Sequence, residues 1–114
     1  MKVLITGAAG QLGVELVQHC IEMGDDVVAA DRSDADITDA AAVDAFLAQH
    51  RPDAVISAAA YTAVDACESN VDIAQAVNGT AVGIVRAACE EFGAHLVHVS
   101  TDYVFDGTLN RPYV

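Results

Sequence analysis

Apolar and polar positions along this chain fall into repeating blocks. Each block pairs a short continuous apolar run with a longer stretch whose apolar residues recur three and four positions apart. Lys2–Thr6 reads as a first strand, and Gln11–Glu22 as a helix with Leu12, Leu16, Val17, Cys20 and Ile21 on one face. Gly24 ends that helix and Asp26–Ala30 forms a second strand. Thr38 or Asp39 can cap a helix running to about His50, with Val43, Phe46 and Leu47 turned inward, and Pro52 stops it. Asp53–Ser57 gives a third strand. A longer helix over roughly Ile73–Phe92 comes next, closed by Gly93, then a fourth strand over Leu96–Ser100 and a polar, turn-rich tail.

Strand–helix alternation with short connections predicts an α/β fold, a doubly wound parallel sheet of Rossmann type with right-handed crossovers. Val27-Val28-Ala29-Ala30 and Ala54-Val55-Ile56 read as strands buried on both faces. The 114 residues therefore read as one dinucleotide-binding domain, with four strands of a larger sheet and incomplete on its C-terminal side. A sheet ending at the fourth strand would leave an unprotected edge, which a fragment of a longer protein explains most simply. That edge hints that a partner covers it and leaves a homo-oligomer open.

In such sheets the ligand lies beyond the carboxyl ends of the strands. The first strand runs into Ile5-Thr6-Gly7-Ala8-Ala9-Gly10-Gln11-Leu12-Gly13, a strand, a glycine turn and a helix start. That order brings backbone N–H groups and a helix N-terminus to one point, which suits a pyrophosphate. Gly7 would allow the tight turn, Gly10 the close approach of backbone to phosphate, and Gly13 the close packing of helix on strand. A glycine triplet alone is a weak signal; its strand and helix give it weight.

The other strand ends add chemistry. Asp31 ends the second strand, where a carboxylate accepts from an adenosine ribose and favours NAD. Arg32 beside it could face a 2′-phosphate, as NADP requires, so the choice between NAD and NADP stays open; a solvated charge pair is the plainer alternative. Asp36 and Ile37 could hold an adenine edge, or Asp36 could be a turn residue. Ala58, Ala59 and Ala60 leave room for a flat or extended ligand, or pack strand against helix, and Tyr61 and Thr62 add polar groups at the rim. Ser100-Thr101-Asp102-Tyr103 closes the fourth strand. Asn78 sits beside Gly79 inside a helical stretch, a poor place by propensity; either the helix bends there or Asn78 holds a neighbouring loop.

Composition narrows the partners. Hydrophobic residues make up 54% of the chain and aromatics 5%, so the core is built from Ala, Val, Ile and Leu. A net charge of −12 argues against nucleic acid and anionic membranes. No apolar stretch reaches membrane-spanning length, and the start lacks the pattern of a secretory signal. Cys20, Cys67 and Cys89 lack C-x-x-C spacing and read as free thiols in a reducing cytosol, so a cytoplasmic protein is expected. His95 and His98 would face opposite sides of a strand, and no metal-ligand cluster emerges.

With these residues in place the chain resembles the dTDP-4-dehydrorhamnose reductase family of the extended short-chain dehydrogenase/reductase superfamily. The likeness rests on the glycine segment, Arg51-Pro52-Asp53, Ala58-Ala59-Ala60-Tyr61-Thr62-Ala63-Val64-Asp65, and Ser100-Thr101-Asp102-Tyr103-Val104-Phe105-Asp106-Gly107. The last two segments together are the specific ones. The resemblance implies NAD(P)H-dependent reduction of dTDP-4-dehydro-L-rhamnose to dTDP-L-rhamnose. It implies that the Thr101 hydroxyl contacts the substrate keto group and tunes a catalytic tyrosine, and that Asp102 and Val64 line the site for the dTDP-sugar. It further implies dinucleotide contacts at Gly10, Gln11, Leu12, Asp31, Asp36, Ile37, Ala60, Tyr61, Thr62 and Val99. Ser57 departs from the asparagine common in the family.

The larger departure concerns the proton donor. Family members use a tyrosine with a lysine four residues later, a general acid tuned by a neighbouring charge. Here Tyr61, Tyr103 and Tyr113 all lack that lysine, and Lys2 is the sole lysine of the chain. The chain alone is therefore expected to be inactive as a reductase. The alternatives are a non-catalytic dinucleotide-binding or regulatory module, and a different reductase or epimerase acting on nucleotide sugars.

Overall fold

A computed structural model describes residues 1–113; Val114 and the side chains of Val64 and Tyr103 lie outside the described residues. Four parallel strands, β1 (Lys2–Thr6), β2 (Asp26–Ala30), β3 (Ala54–Ser57) and β4 (His95–His98), form one sheet in the order β2-β1-β3-β4. In register, Leu4 lies between Val28 and Val55, and Thr6 between Ala30 and Ser57. Parallel neighbours need long crossovers, and helices supply them. α1 (Gln11–Glu22) joins β1 to β2, and α2 (Ala40–His50) joins β2 to β3. Between β3 and β4 run α3 (Val64–Ser69), α4 (Val71–Gln75), a π-helical turn over Ala76–Thr80, and α5 (Ala81–Phe92).

The helices cover both faces. On one, Val3 and Ile5 of β1 pack with Leu16, Val17 and Cys20 of α1. On the other, Leu4 and Val55 pack with Val43 and Leu47 of α2 and with Val85 and Cys89 of α5. Leu4, Ile5, Val55 and Val85 are fully buried, and burial of such side chains contributes roughly 1.5–3 kcal/mol each. Burial also pushes the Cys89 thiol up, so it stays protonated.

Local chemistry sets the boundaries. Asp39 caps α2 by accepting from the Ala41 and Ala42 N–H groups. Arg51 ends α2 in the left-handed conformation, and Pro52 comes directly after it. The Arg51 guanidinium lies 5.3 Å from the Phe92 ring centroid, tying the end of α2 to the end of α5. Asp53 Oδ2 accepts from the Lys2 N–H, which fixes the start of β1 beside β3.

Several expectations need correction. β2 and β4 are edge strands, so Val27 and Val28 are half-buried and Ala29 is exposed; only the central strands approach burial on both faces. β3 begins at Ala54, and β4 spans His95–His98 instead of Leu96–Ser100. Leu12 and Ile21 of α1 are 46% and 58% exposed, because Gly13 seats the helix on the preceding loop and turns Leu16, Val17 and Cys20 inward. The single helix expected over Ile73–Phe92 is broken into α4, the π turn and α5, preceded by the unexpected α3. Among the described residues, no helix is long and apolar enough to cross a membrane.

Candidate functional site

The turn after β1 is built by glycine where no other residue fits. Gly7 has φ +69°, and a Cβ on it would sit 2.7 Å from the Ala59 Cα. Its carbonyl accepts from the Gly10 N–H at 3.0 Å, closing the turn. Gly10 then caps α1 with extended backbone, and among the described residues no side chain accepts from the first-turn amides of that helix. Those amides and the positive end of the helix remain open to an anion. A Cβ on Gly13 would run into the Gly7 carbonyl oxygen and lie 2.8 Å from the Ala8 Cα. Gly13 thus packs the helix on the glycine turn itself.

This turn borders a cleft of about 410 Å³ over the carboxyl ends of β1, β2 and β3. Thr6, Gly7, Gly10 and Ala30 form its floor, and Asp31, Arg32, Asp36 and Ile37 one wall. Ala58, Ala59, Ala60 and Tyr61 form the opposite wall, with Ile73 and Val77 closing the far side. The cleft is mostly apolar and edged by charge on the β2 side, a lining that suits a nucleotide.

The β2 wall is a small polar network. Asp31 Oδ1 accepts from the Ala9 N–H at 3.0 Å, and the Asp31 N–H donates to Asp34 Oδ2 at 2.9 Å. Arg32 is 87% exposed and reaches back to Asp36, with Nε 3.2 Å from Oδ2. Asp36 Oδ1 accepts from the Thr38 hydroxyl at 2.6 Å and the Thr38 N–H at 3.0 Å. These two donors, with Arg32 after them, hold the Asp36 carboxyl below the usual carboxylate range.

The opposite wall is held by a side chain. Asn78 Oδ1 accepts from the Tyr61 N–H at 2.8 Å, and Asn78 Nδ2 donates to the Tyr61 carbonyl at 3.0 Å. Asn78 lies within the π turn. The two alternatives read from the sequence, a distorted helix and a held loop, are both present.

Of the residues singled out from sequence, Gly7, Gly10, Asp31, Arg32, Asp36, Ile37, Ala58, Ala60 and Tyr61 meet at the cleft. Gln11 and Leu12 are exposed in the first turn of α1, and Gly13 is buried beneath the glycine turn. Thr62 is exposed beside Tyr61, outside the cleft walls. The Val99 N–H donates to the Ser57 carbonyl at 3.1 Å, and Thr101 Oγ1 donates to Asp102 Oδ1 at 3.2 Å. Val99, Thr101 and Asp102 stand past the end of β4 and do not line the cleft. Val64 opens α3, and its side chain lies outside the described residues.

Sequence reasoning missed Ile73 and Val77, because apolar residues on a helix carry no polar signal and reach the cleft only through the fold. It also missed Thr6. Thr6 is 9% exposed, and its hydroxyl has no partner among the described residues. Thr6 also lines a small cavity of about 10 Å³ with apolar neighbours such as Leu4, Val43 and Phe46.

Residues 1–114 match the family model described as the RmlD substrate binding domain. The chain belongs to this family. Within it, the chain is 47% identical to a dTDP-4-dehydrorhamnose reductase of Burkholderia thailandensis, a match covering 100% of this chain and 38% of the relative. The fold matches the crystal structure of a dTDP-4-dehydrorhamnose reductase from Clostridium acetobutylicum with a TM-score of 0.93 and 43% identity, over 99% of this chain and 40% of that one. It also matches the Bacillus anthracis enzyme crystallised in complex with NADP, with a TM-score of 0.88 and 40% identity, over 93% of this chain and 38% of that one. The chain thus spans well under half the length of these RmlD relatives.

Proposed function

We propose that this chain is the NADP(H)-binding portion of a dTDP-4-dehydrorhamnose reductase. The observation that carries the reading is the cleft itself, where an uncapped helix start and a turn with no room for a Cβ at Gly7 meet Asp31 and Arg32. The pyrophosphate of the cofactor would lie on the first-turn amides of α1. Asp31 and Arg32 would take the adenosine ribose and its 2′-phosphate, with the adenine between Ile37 and Val77. The bound dihydronicotinamide supplies a hydride for reduction of the keto carbon of dTDP-4-dehydro-L-rhamnose.

Thr101, past the end of β4, would meet the substrate keto oxygen through its hydroxyl, and Asp102 and Val64 would belong to the dTDP-sugar site. Tyr61 and Tyr103 are followed four residues later by Asp65 and Gly107, so neither is part of a tyrosine–lysine pair. The chain alone therefore binds cofactor without turning over substrate. A reducing, cytoplasmic setting suits the free thiols Cys20, Cys67 and Cys89.

The second reading is a non-catalytic, regulatory dinucleotide-binding module. Titration of the cofactor-loaded chain with dTDP separates the two. Binding of dTDP supports the reductase portion, and its absence alongside cofactor binding supports the module. NADPH oxidation in the presence of the keto-sugar nucleotide at a rate matching an intact reductase would overturn the prediction of inactivity.

A further inference from the structure

The loop that forms the β3 wall of the cleft is held almost entirely by side chains from elsewhere. Among the described residues, its backbone bonds are the Ala58 N–H to the Thr6 carbonyl and the Ala63 carbonyl to the Cys67 N–H, one at each end. Ala59, Ala60, Tyr61 and Thr62 between them make no backbone–backbone bond. Both main-chain groups of Tyr61 go to the single carboxamide of Asn78, which does there what a neighbouring strand would do. The Tyr61 carbonyl receives a second donor, Cys67 Sγ of α3, at 3.6 Å. Two helical elements thus converge on one residue.

The π turn over Ala76–Thr80 explains how Asn78 gets there. An inserted residue rotates the downstream turns by about 100° relative to a regular helix, and such insertions are frequent at functional sites. Val77, the preceding residue in the same turn, lines the cleft. One distorted turn therefore sets two walls together, Val77 directly and Ala58–Tyr61 through Asn78. Core packing does not account for the arrangement, because no residue of the π turn is buried.

The geometry points to Asn78 as a positioning residue for the cofactor cleft, acting through the Tyr61 main chain with Cys67 in support. The inference rests on the dinucleotide reading and extends it: cofactor affinity depends on a side chain that need not touch the cofactor.

The test is calorimetric titration of the 114-residue chain and of its variants N78A, N78D and C67A with NADPH. N78A removes both bonds to Tyr61 and should raise Kd about tenfold at unchanged stoichiometry, as expected for losing one or two hydrogen bonds. N78D keeps an acceptor for the Tyr61 N–H but sets a carboxylate against the Tyr61 carbonyl, and should weaken binding at least as much. C67A removes the weak sulfur contact and should raise Kd by about twofold. Amide exchange at Tyr61 in the cofactor-free protein should accelerate in N78A and N78D while that of β1 stays protected.

A merely structural role lowers stoichiometry or thermal midpoint and leaves the Kd of the folded fraction alone; that result overturns the inference. If N78A fails to fold, N78D and C67A decide the matter by the same readouts, and parental Kd values in both overturn it. Failure of the parent chain to bind NADPH overturns the dinucleotide reading and this inference with it. Parental affinity in all variants overturns the inference alone.

Discussion

Asp31 Oδ1 accepts the Ala9 N–H at 3.0 Å, so the end of β2 pins the glycine turn that comes after β1. The same carboxylate stands where a cofactor ribose would lie. Its two jobs, shaping the turn and meeting the sugar, are separable by substitution. D31A loses both and should weaken NADPH binding about tenfold. D31N keeps an acceptor for Ala9 and removes a negative charge from beside a 2′-phosphate, so it should bind NADPH at least as tightly as the parent. Calorimetry on the two variants checks the order.

Gly13 is the tightest packing point of the site. A Cβ there meets the backbone of Gly7 and Ala8, which cannot swing aside as a side chain would. G13A should destabilise the fold by roughly 1–3 kcal/mol and weaken cofactor binding beyond what the loss of folded protein explains. Urea denaturation and the fitted Kd together measure both effects.

The Thr6 hydroxyl is buried without a partner among the described residues, in a strand position directly across from Ser57. T6V preserves the β-branched shape and removes the unsatisfied group. It should raise stability by about 1 kcal/mol. A loss of stability on urea denaturation would show that the hydroxyl has a partner.

Asp36 titrates below the usual range because Thr38 and Arg32 bind its charged form. Its folded-state pKa is thus lower than its unfolded one. Its contribution to stability is fully present above the unfolded value and is lost as pH falls through the folded one. The stability difference between the parent and D36N should therefore hold from pH 7 to about pH 5 and shrink toward pH 3. Urea titrations across that range give the profile; a difference that grew toward acid would contradict the assignment.

Much of this architecture is legible in the pattern of apolar residues. The four strands, α1 and α2 stand within a residue or two of where periodicity and capping place them, because strand runs and the Asp39 and Pro52 signals are local. The cleft was legible at Gly7, Gly10, Asp31 and Ala58 for the same reason, since the ends of parallel strands converge on one side of the sheet. Three features were not legible. Burial of the edge strand β2 depends on strand order, which periodicity does not encode. The orientation of α1 comes from Gly13 resting on its own loop, a contact no hydrophobic stripe announces. The π turn brings Asn78 to Tyr61 across a long stretch of chain, and of this the sequence shows only an awkward Asn-Gly pair inside a helix.

On the proposed function, these 114 residues hold a dinucleotide at the glycine turn. Calorimetric titration with NADPH and NADH, on the parent chain and on R32A, tests it most directly. The expected result is one cofactor per chain, tighter binding of NADPH than of NADH, and a loss of about tenfold for NADPH alone in R32A, the scale of one charge-assisted contact. No heat of binding with either cofactor, from a chain that unfolds cooperatively, would contradict it.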